Sequence, residues 1–254
     1  MAATARERLA TLELPGTVRF GAPTAEPVRR LPVGSAALDA LLGGGLPRGY
    51  LSEIVGGRAS GRTALLYALL AATTRAGEVA AVVDLPDALD PASLARAGAR
   101  LERVLWVRPP APRAALQCAE LILAAGGFAL VALDLDGASA RLSPAVWPRL
   151  AQAARRAGAA CVVSGAQRRA AAAAALALQL DARRVHWSAH LLDGLAATAT
   201  LTRSRFGATG QVATIVVGED WGAFRDRVAG FPGGHGSAAP HRARRGGAAP
   251  AAGG

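Results

Sequence analysis

The sequence predicts an α/β fold with a mainly parallel sheet, and three observations lead to that prediction. Apolar runs of β type alternate with helical patterns from Leu31 to about Gly218, which is typical of a parallel sheet with helices on both faces. With 254 residues, 52% of them hydrophobic, the chain can bury one core. The last two runs are separated only by RSRFGATG, which predicts an antiparallel hairpin at the edge of the sheet.

The alternating pattern predicts the strands first. They are Leu51–Val55, Val79–Asp84, Val104–Val107, Phe128–Asp134, Ala159–Ser164, Ala196–Thr202 and Gln211–Val217. The helices that separate the first five of them are predicted over Thr63–Arg75, Pro91–Ala99, Arg113–Ala125 and Pro144–Ala157. This order is expected of a single α/β core.

The chain divides into three parts by composition. Residues 1–30 predict an arm, with a short amphipathic helix over about Thr4–Leu12, that packs on its own core or serves as an oligomerisation segment on a neighbouring subunit. Residues 31–218 form the predicted core. Residues 219–254 are a low-complexity basic tail with too few large apolar groups to offset the entropy of ordering, so we expect them to be largely disordered. The arginines of this tail either contact an acidic partner or nucleic acid, or are solvated; they include Arg242, Arg244 and Arg245.

The formal net charge of +11 is compatible with a nucleic-acid partner. Every basic residue is arginine, however, and alanine, glycine and proline are also abundant. This bias runs through the whole chain, so many arginines can simply occupy solvated faces. Direct contact with nucleic acid is left open by composition.

Cysteine, histidine and hydropathy patterns favour a cytosolic protein. Cys118 and Cys161 lie in apolar segments and are expected to be small buried hydrophobes in a reducing compartment. His186 and His190 lack an evident third ligand, so metal binding there is not expected. The N-terminus lacks the apolar core of a signal peptide, and Arg or Gly interrupts the longest apolar runs before they could span a membrane.

The motif with the clearest chemistry is GGRASGRT, which follows a predicted strand and precedes a predicted helix. It matches the phosphate-loop pattern G-x-x-x-x-G-K-[ST] except at the lysine. In this pattern glycines let backbone N–H groups surround a phosphate, a cation meets the terminal phosphates and a hydroxyl binds magnesium. The predicted nucleotide-binding residues are Gly56, Gly57, Arg58, Ala59, Ser60, Gly61, Arg62 and Thr63.

Arg62 replaces the lysine of the pattern. Lysine presents a compact ammonium, whereas arginine presents a broad planar fork on a longer side chain, so the two are not interchangeable at a shaped site. We therefore expect nucleotide binding to persist, in weakened form, and hydrolysis to be impaired. The alternative is a glycine-rich turn that binds nothing.

Several segments, in order, resemble the core of RecA-type ATPases. They are LPVGSAALDALLGGGLPRGYLSEIVGGRASGRT, AVVDLPDALDP, FALVALDLDG, LQLDARRVHW and TLTRSRFG. The resemblance covers roughly residues 31–217 and implies a RecA-like phosphate-loop core that uses ATP or ADP with Mg²⁺.

Within that superfamily, other segments are most similar to ImuA, an accessory protein of bacterial damage-induced mutagenesis. They are LPRGYLSEI, LERVLWVRPPAPRAALQCAELILAAGGFALVALDL and RLAQAARRAGAACVV. This resemblance implies an adaptor in the damage (SOS) response and error-prone translesion synthesis. Its implied partners are an ImuB-like homologue of Y-family polymerases and an error-prone C-family DNA polymerase, or RecA itself.

The resemblance also implies roles for individual residues. Asp134 matches the Walker-B aspartate, which would hold magnesium together with Thr63. The alternative is an aspartate that only caps a strand. The position of the catalytic glutamate is occupied by Pro86, which cannot act as a base. Asp87 could substitute only if its loop shifts, because a base must reach the attacking water.

Later segments depart from the recombinase pattern. The glutamine that couples nucleotide to DNA has its nearest counterpart in Gln167, about one residue out of register. The interval Arg168–Ala177, where a recombinase carries a DNA-binding loop, is rich in alanine and predicts a short helix. Arg203 and Arg205 match cations that reach the nucleotide of a neighbouring subunit in filaments; otherwise they are ordinary basic residues at a strand end.

Three functions are therefore carried forward. The preferred one is a nucleotide-binding adaptor with weak or no ATP hydrolysis, in which the nucleotide is a structural or switching ligand and any DNA contact is through backbone phosphates. The alternative is a DNA-dependent ATPase, a recombinase paralogue in repair. The third is a scaffold with a vestigial loop.

Overall fold

A computed structural model describes residues 28–138, 142–188 and 191–218 of the chain. The predicted arm helix over Thr4–Leu12 and the tail from 219 to 254 lie outside the described residues, so those predictions stay as they are. The elements of the described part lie between Arg30 and Gly218.

The described residues form ten strands and five α-helices. The strands are β1 (Arg30–Leu31), β2 (Leu46–Pro47), β3 (Leu51–Gly56), β4 (Ala80–Asp84), β5 (Val104–Val107), β6 (Leu130–Asp134), β7 (Ala160–Gly165), β8 (Leu176–Ser188), β9 (Leu191–Ser204) and β10 (Val212–Gly218). The helices are α1 (Ala36–Leu41), α2 (Arg62–Arg75), α3 (Pro91–Arg96), α4 (Pro112–Ala125) and α5 (Val146–Ala157).

Eight strands form one sheet in the order β10-β9-β8-β3-β7-β6-β4-β5, while β1 and β2 pair separately and antiparallel. The six strands from β8 to β5 are parallel to one another. At the other edge β9 runs antiparallel to β8 and β10 runs antiparallel to β9. This confirms the predicted α/β fold class, including the antiparallel hairpin at the edge.

Helices cover both faces of the sheet because the central strands are apolar on both sides. In β6, Leu130 and Ala132 belong to the core under α2, whereas Val131 and Leu133 belong to the core under α4 and α5. This alternation follows from the two-residue period of a strand. Helix α2 is buried on nearly all of its faces, with every residue from Ala64 to Ala71 inaccessible. It is the central helix that carries the loop before it.

The structure corrects the sequence prediction in one region. Strand β8 was not predicted, and the expected helix within Arg168–Ala177 is reduced to a single 3-10 turn over Ala171–Ala173. The alanine run favours helix by intrinsic propensity, but β8 finds pairing partners on both sides, with β3 and with β9. Tertiary pairing outweighs a weak local preference here. Strand β9 is also longer than the predicted Ala196–Thr202.

The parallel topology fixes where polar side chains can gather. Asp84, Asp134 and Ser164 are register partners at the carboxyl ends of β4, β6 and β7. Gly56 ends β3 in the same part of the sheet. In open parallel sheets this edge is where ligands bind.

Candidate functional site

The loop from Gly56 to Thr63 has the geometry of a backbone cradle. A Cβ on Gly56 would lie 2.5 Å from Ser60 Oγ and 2.6 Å from the Leu180 carbonyl oxygen, so only glycine fits there. Gly61 has a φ of +91°, in the left-handed region that favours glycine. Gly57, by contrast, faces open space. Two of the glycines are therefore required by the shape of the loop.

Helix α2 begins directly after this cradle. Its preceding residue, Gly61, offers no side-chain cap, so the first N–H groups of the helix have no side-chain acceptor at the cap position. Such free N–H groups, together with the helix dipole, favour an anion at the N-terminus. Thr63 is exposed, which leaves its hydroxyl accessible. The Ser60 hydroxyl is buried and has no hydrogen-bond partner among the described residues.

Arg62 is bound to the chain's own oxygens. Its Nη2 lies 2.9 Å from Asp136 Oδ1, and its Nη1 donates to Ser164 Oγ at 3.4 Å. Only 7% of the residue is exposed. Its Nε is buried and makes no hydrogen bond within the described ranges. The cation of the loop is thus present but already paired.

Three aspartates, Asp84, Asp134 and Asp136, lie at or just after the ends of β4 and β6. Burial raises the pKa of Asp134 to about 6. A hydrogen bond from the Asp136 N–H, 3.0 Å long, and the charge of Arg62 oppose this rise, while the charges of Asp136 and Asp84 add to it. A carboxylate that is costly to ionise in the ligand-free protein is a favourable position for a cation.

The Asp84 carboxylate is committed to structure. It accepts hydrogen bonds from the backbone N–H groups of Ala88 and Leu89, and from Trp106 Nε1 at 3.2 Å. These bonds hold the turn after β4 in place. Asp84 therefore supplies charge to the site while its oxygens are occupied by this chain's own donors.

A small cavity of about 20 Å³ lies among these groups. That volume accommodates about one water molecule. Tyr67 forms part of the wall, and its hydroxyl accepts a hydrogen bond from the Asp90 N–H at 2.8 Å. Burial raises the pKa of Tyr67, so its hydroxyl stays protonated at neutral pH. The lining residues are Thr63, Leu66, Tyr67, Val82, Asp84, Ala88, Leu89 and Asp134.

Thr63 and Asp134, which the sequence predicts as magnesium ligands, therefore line the same cavity. Asp87 does not line it. Asp87 has a φ of +52° and pairs with Arg108 Nη1 at 3.6 Å, with its side chain 61% exposed. Arg108 itself stacks over the Trp106 ring at 4.8 Å. Pro86 is also exposed. The turn after β4 presents its acidic side chain outward.

Arg203 and Arg205 lie at the opposite edge of the parallel strands. Arg203 pairs in register with Ala177 near the start of β8, where its Nε donates to the Ala174 carbonyl at 2.6 Å. Arg205 Nη2 donates to the Ala172 carbonyl at 2.8 Å. Both guanidinium groups therefore contact the turn before β8.

The segment after β7 is fixed to the strand that leads into the loop. Glu53, on β3, is 1% exposed and accepts hydrogen bonds from the N–H groups of Arg169 and Ala170 at 2.6 and 2.7 Å. The Arg169 guanidinium donates to the Ala138 carbonyl oxygen. Gln167, one turn earlier, is exposed. A buried carboxylate thus links two segments that the sequence prediction treated separately.

The sequence analysis did not single out Asp136, Ser164, Tyr67 or Glu53. Asp136 could have been found from its spacing, since it stands two residues after Asp134 in ALDLDG. Ser164 could have been found from its position at the end of an otherwise apolar strand. Glu53 carries a similar signal, because a charged residue in the buried run LSEIV needs a partner.

The described residues lack two features. No group of three or more His, Cys, Asp or Glu side chains within residues 28–138, 142–188 and 191–218 could hold a metal ion unaided. Among the helices of the same ranges, none combines the length and apolar character needed to cross a bilayer.

Comparison with known proteins identifies relatives. The profile of the RecA N-terminal domain matches residues 14–172, which is more than half of the chain. Protein RecA of Clavibacter michiganensis subsp. michiganensis is 39% identical over 118 residues, covering 46% of this chain and 33% of that protein. Protein RecA of Methylococcus capsulatus is 41% identical over 105 residues, covering 41% of this chain and 30% of that protein. The matched part spans about a third of the length of these curated relatives.

Proposed function

The chain belongs to the RecA family, and on that premise we propose that it is a nucleotide-binding accessory protein in DNA damage tolerance. In this proposal it binds ATP or ADP with Mg²⁺ and hydrolyses ATP weakly or not at all. The observation that carries the proposal is the loop after β3, whose cradle is formed while its cation is paired to Asp136.

Phosphate binding is supported by the backbone rather than by Arg62. Gly56 and Gly61 allow the loop to fold closely, and the first N–H groups of α2 have no capping side chain. Backbone donors of this kind bind the phosphates nearest the nucleoside without any side-chain charge. The substitution of lysine by arginine therefore leaves the larger part of the phosphate site intact.

The residues present also fit a magnesium ion. Thr63 offers an accessible hydroxyl, and Asp134 is a partly buried carboxylate in the lining of the same small cavity. Oxygen donors are the ligands that Mg²⁺ prefers, and it takes its remaining ligands from phosphate and water. Once bound, the ion would neutralise phosphate charge. Asp134 would hold the ion through its carboxylate, and Thr63 would hold it through its hydroxyl.

Weak hydrolysis is supported by the residues around the small cavity that Thr63 and Asp134 line. Asp84 uses its carboxylate oxygens to bind the turn after β4, and the position of the catalytic glutamate is Pro86. Asp87 is turned outward and paired with Arg108. A general base must come within hydrogen-bond reach of the attacking water. Asp87 could do so only after leaving Arg108.

The adaptor role rests on the resemblance of several segments to ImuA. The proposed partners are an ImuB-like protein and an error-prone C-family DNA polymerase, or RecA itself. The nucleotide would favour one arrangement of the loop and of a partner surface, to the extent that it binds the two arrangements unequally. Homo-oligomerisation is also proposed, with Arg203 and Arg205 acting on the nucleotide of a neighbouring copy.

A DNA-dependent ATPase is the second candidate, and the nearly intact loop favours it. The loop keeps its left-handed Gly61 at the start of α2, and Thr63 and Asp134 line one cavity beside it. In that case Asp87→Ala would abolish turnover stimulated by single-stranded DNA. Unchanged turnover would remove Asp87 from the mechanism.

Calorimetric titration of Mg²⁺ with ADP into the full chain tests the proposed binding site. We expect saturable binding that is weakened at least tenfold by Thr63→Ala, because the metal loses its hydroxyl ligand. Ser143→Ala, at a position away from the loop, is a matched control for the loss of a hydroxyl. Binding that is equally strong in Thr63→Ala, or absent from the wild-type protein, would contradict the proposal.

A further inference from the structure

The ion pair between Arg62 and Asp136 joins the phosphate loop to the chain just after β6. The Arg62 side chain is 8% exposed and the Asp136 side chain is 40% exposed, although their charged atoms are 2.9 Å apart. The second terminal nitrogen of Arg62 is directed to Ser164 Oγ at the end of β7. Both terminal nitrogens of the loop cation are therefore bound to oxygens of this chain.

We propose that Asp136 sets how this site distinguishes nucleoside triphosphates from diphosphates, by competing with the terminal phosphate for Arg62. The inference rests on the proposed nucleotide site and assigns a specificity-determining role to a residue outside the loop. While Arg62 stays on Asp136, a third phosphate gains no cation from the loop. The wild-type protein then binds ATP and ADP with similar affinity.

The chemistry of the two acceptors makes them competitors. A guanidinium presents a planar fork that binds a carboxylate or a phosphate through the same N–H groups. Arg62 has two terminal nitrogens, and both are already engaged. A terminal phosphate must therefore displace Asp136, Ser164 or both before it can bind this cation.

The different exposure of the two side chains indicates that Asp136 is the partner that can leave the ion pair. A released Asp136 carboxylate would be hydrated, because it is already half-exposed, while its backbone stays fixed by the N–H bond to Asp134 Oδ1. Arg62, which is buried, would still need an anion as partner. Exchange of one anion for another at Arg62 is therefore possible without unfolding the loop.

The phosphates nearest the nucleoside do not take part in this competition. They are bound by backbone N–H groups of the loop and of the first turn of α2, which carry no ion pair. Removal of the Asp136 charge should thus tighten binding of the triphosphate more than binding of the diphosphate. An effect of Asp136 on Asp134 and its magnesium would not depend on Arg62, so a variant that lacks Arg62 separates it from the competition.

The test is calorimetry with Mg²⁺ and either ADP or a non-hydrolysable ATP analogue, on the full chain and on Asp136→Asn. We expect the two Kd values of the wild type to agree within about threefold. In Asp136→Asn the triphosphate analogue should bind about tenfold tighter, with less than about a threefold change for ADP, as for the loss of one charge-assisted bond. Glu102→Gln, an exposed residue at the far edge of the sheet, removes the same charge and should change neither value.

A second variant shows whether the effect passes through Arg62. In an Arg62→Ala background, Asp136→Asn should no longer change the ratio of the two Kd values, since the residue for which the anions compete is absent. Thermal unfolding of each variant confirms that it is folded. The proposal is overturned if Asp136→Asn binds both nucleotides in the wild-type ratio, or shifts that ratio equally without Arg62. If the folded wild type binds neither nucleotide, the proposed function itself fails, and the inference with it.

Discussion

The two edges of the parallel strands use their polar side chains in opposite ways. At the carboxyl edge, partial burial raises the pKa of Asp134, and the neighbouring helix α2 has no side-chain cap at its N-terminus. At the amino edge, Arg203 and Arg205 donate to carbonyl groups of the turn before β8. At the carboxyl edge, the charge of Asp134 is only partly compensated by groups of the same chain. At the amino edge, the arginines donate hydrogen bonds to carbonyl groups of the same chain. This difference in unsatisfied charge supports the proposal that the carboxyl edge is the one that binds a ligand.

The largest expected change in the free energy of unfolding is at the loop of the carboxyl edge. Gly56→Ala should lower the free energy of unfolding by about 3 kcal/mol or more, because its Cβ would overlap a backbone carbonyl at 2.6 Å as well as Ser60 Oγ. Chemical denaturation measures the change. Gly57→Ala is the matched control, since its Cβ meets nothing within 4 Å and its stability should change little. Equal effects at both positions would mean that the close approach at Gly56 is absent in solution.

Glu53 tests the link between β3 and the segment after β7. Glu53→Ala removes a buried acceptor from the N–H groups of Arg169 and Ala170, so we expect a loss of about 2–3 kcal/mol. Denaturant unfolding measures the loss, and hydrogen exchange should rise at residues 169 and 170. Glu102→Ala, at an exposed position, serves as the control. Unchanged protection at these two amides would show that Glu53 does not fix the turn.

Substitution of Asp134 should raise the free energy of unfolding, whereas the two substitutions above lower it. Its pKa rises from 3.8 to about 6 in the folded chain, so its ionisation destabilises the fold as the pH rises through about 6, and the stabilising effect of its protonated form is complete below pH 3.8. Because the pKa rises from 3.8 to about 6 and each pKa unit corresponds to about 1.4 kcal/mol, Asp134→Asn should stabilise the ligand-free protein by about 3 kcal/mol at pH 7. Denaturation at pH 4 and 7 checks this, with the gain absent at pH 4. The same variant should lose its stabilisation by magnesium and nucleotide.

The smallest change in stability is expected at the amino edge. Arg203→Ala removes a 2.6 Å bond to the Ala174 carbonyl and should cost about 1 kcal/mol of stability. Thermal unfolding of the monomer measures it. If the variant is as stable as the wild type but weakens nucleotide binding only at concentrations where the chain self-associates, Arg203 acts on a neighbouring copy instead.

The fold was largely predictable because its signals are local. Each parallel strand of the central sheet except β8 is an apolar run bounded by turn residues, and the buried residues of α4 and α5 recur at helical spacing. Strand β8 escaped prediction because its alanine-rich approach favours helix and its sequence LQLDARRVHW lacks a continuous apolar run. What fixes it as a strand is its pairing with β3 and β9, which are distant in sequence.

Only those residues of the site that belong to a sequence motif could be predicted. GGRASGRT and Asp134 are identified by spacing, and the structure brings Thr63 and Asp134 to one cavity. The pairing of Arg62 with Asp136 and Ser164 depends on the register of β6 and β7. A sequence pattern reports which cation is present, but it does not report which anion already holds that cation.

The most direct test of the account follows thermal unfolding with Mg²⁺ and increasing ATP, ADP or a non-hydrolysable analogue, with phosphate release measured on the same sample. We predict a saturable rise in melting temperature, by mass action, with phosphate release near background even when single-stranded DNA is added. Turnover stimulated by DNA would contradict the adaptor and identify a working ATPase. No shift with any nucleotide would contradict the binding site itself.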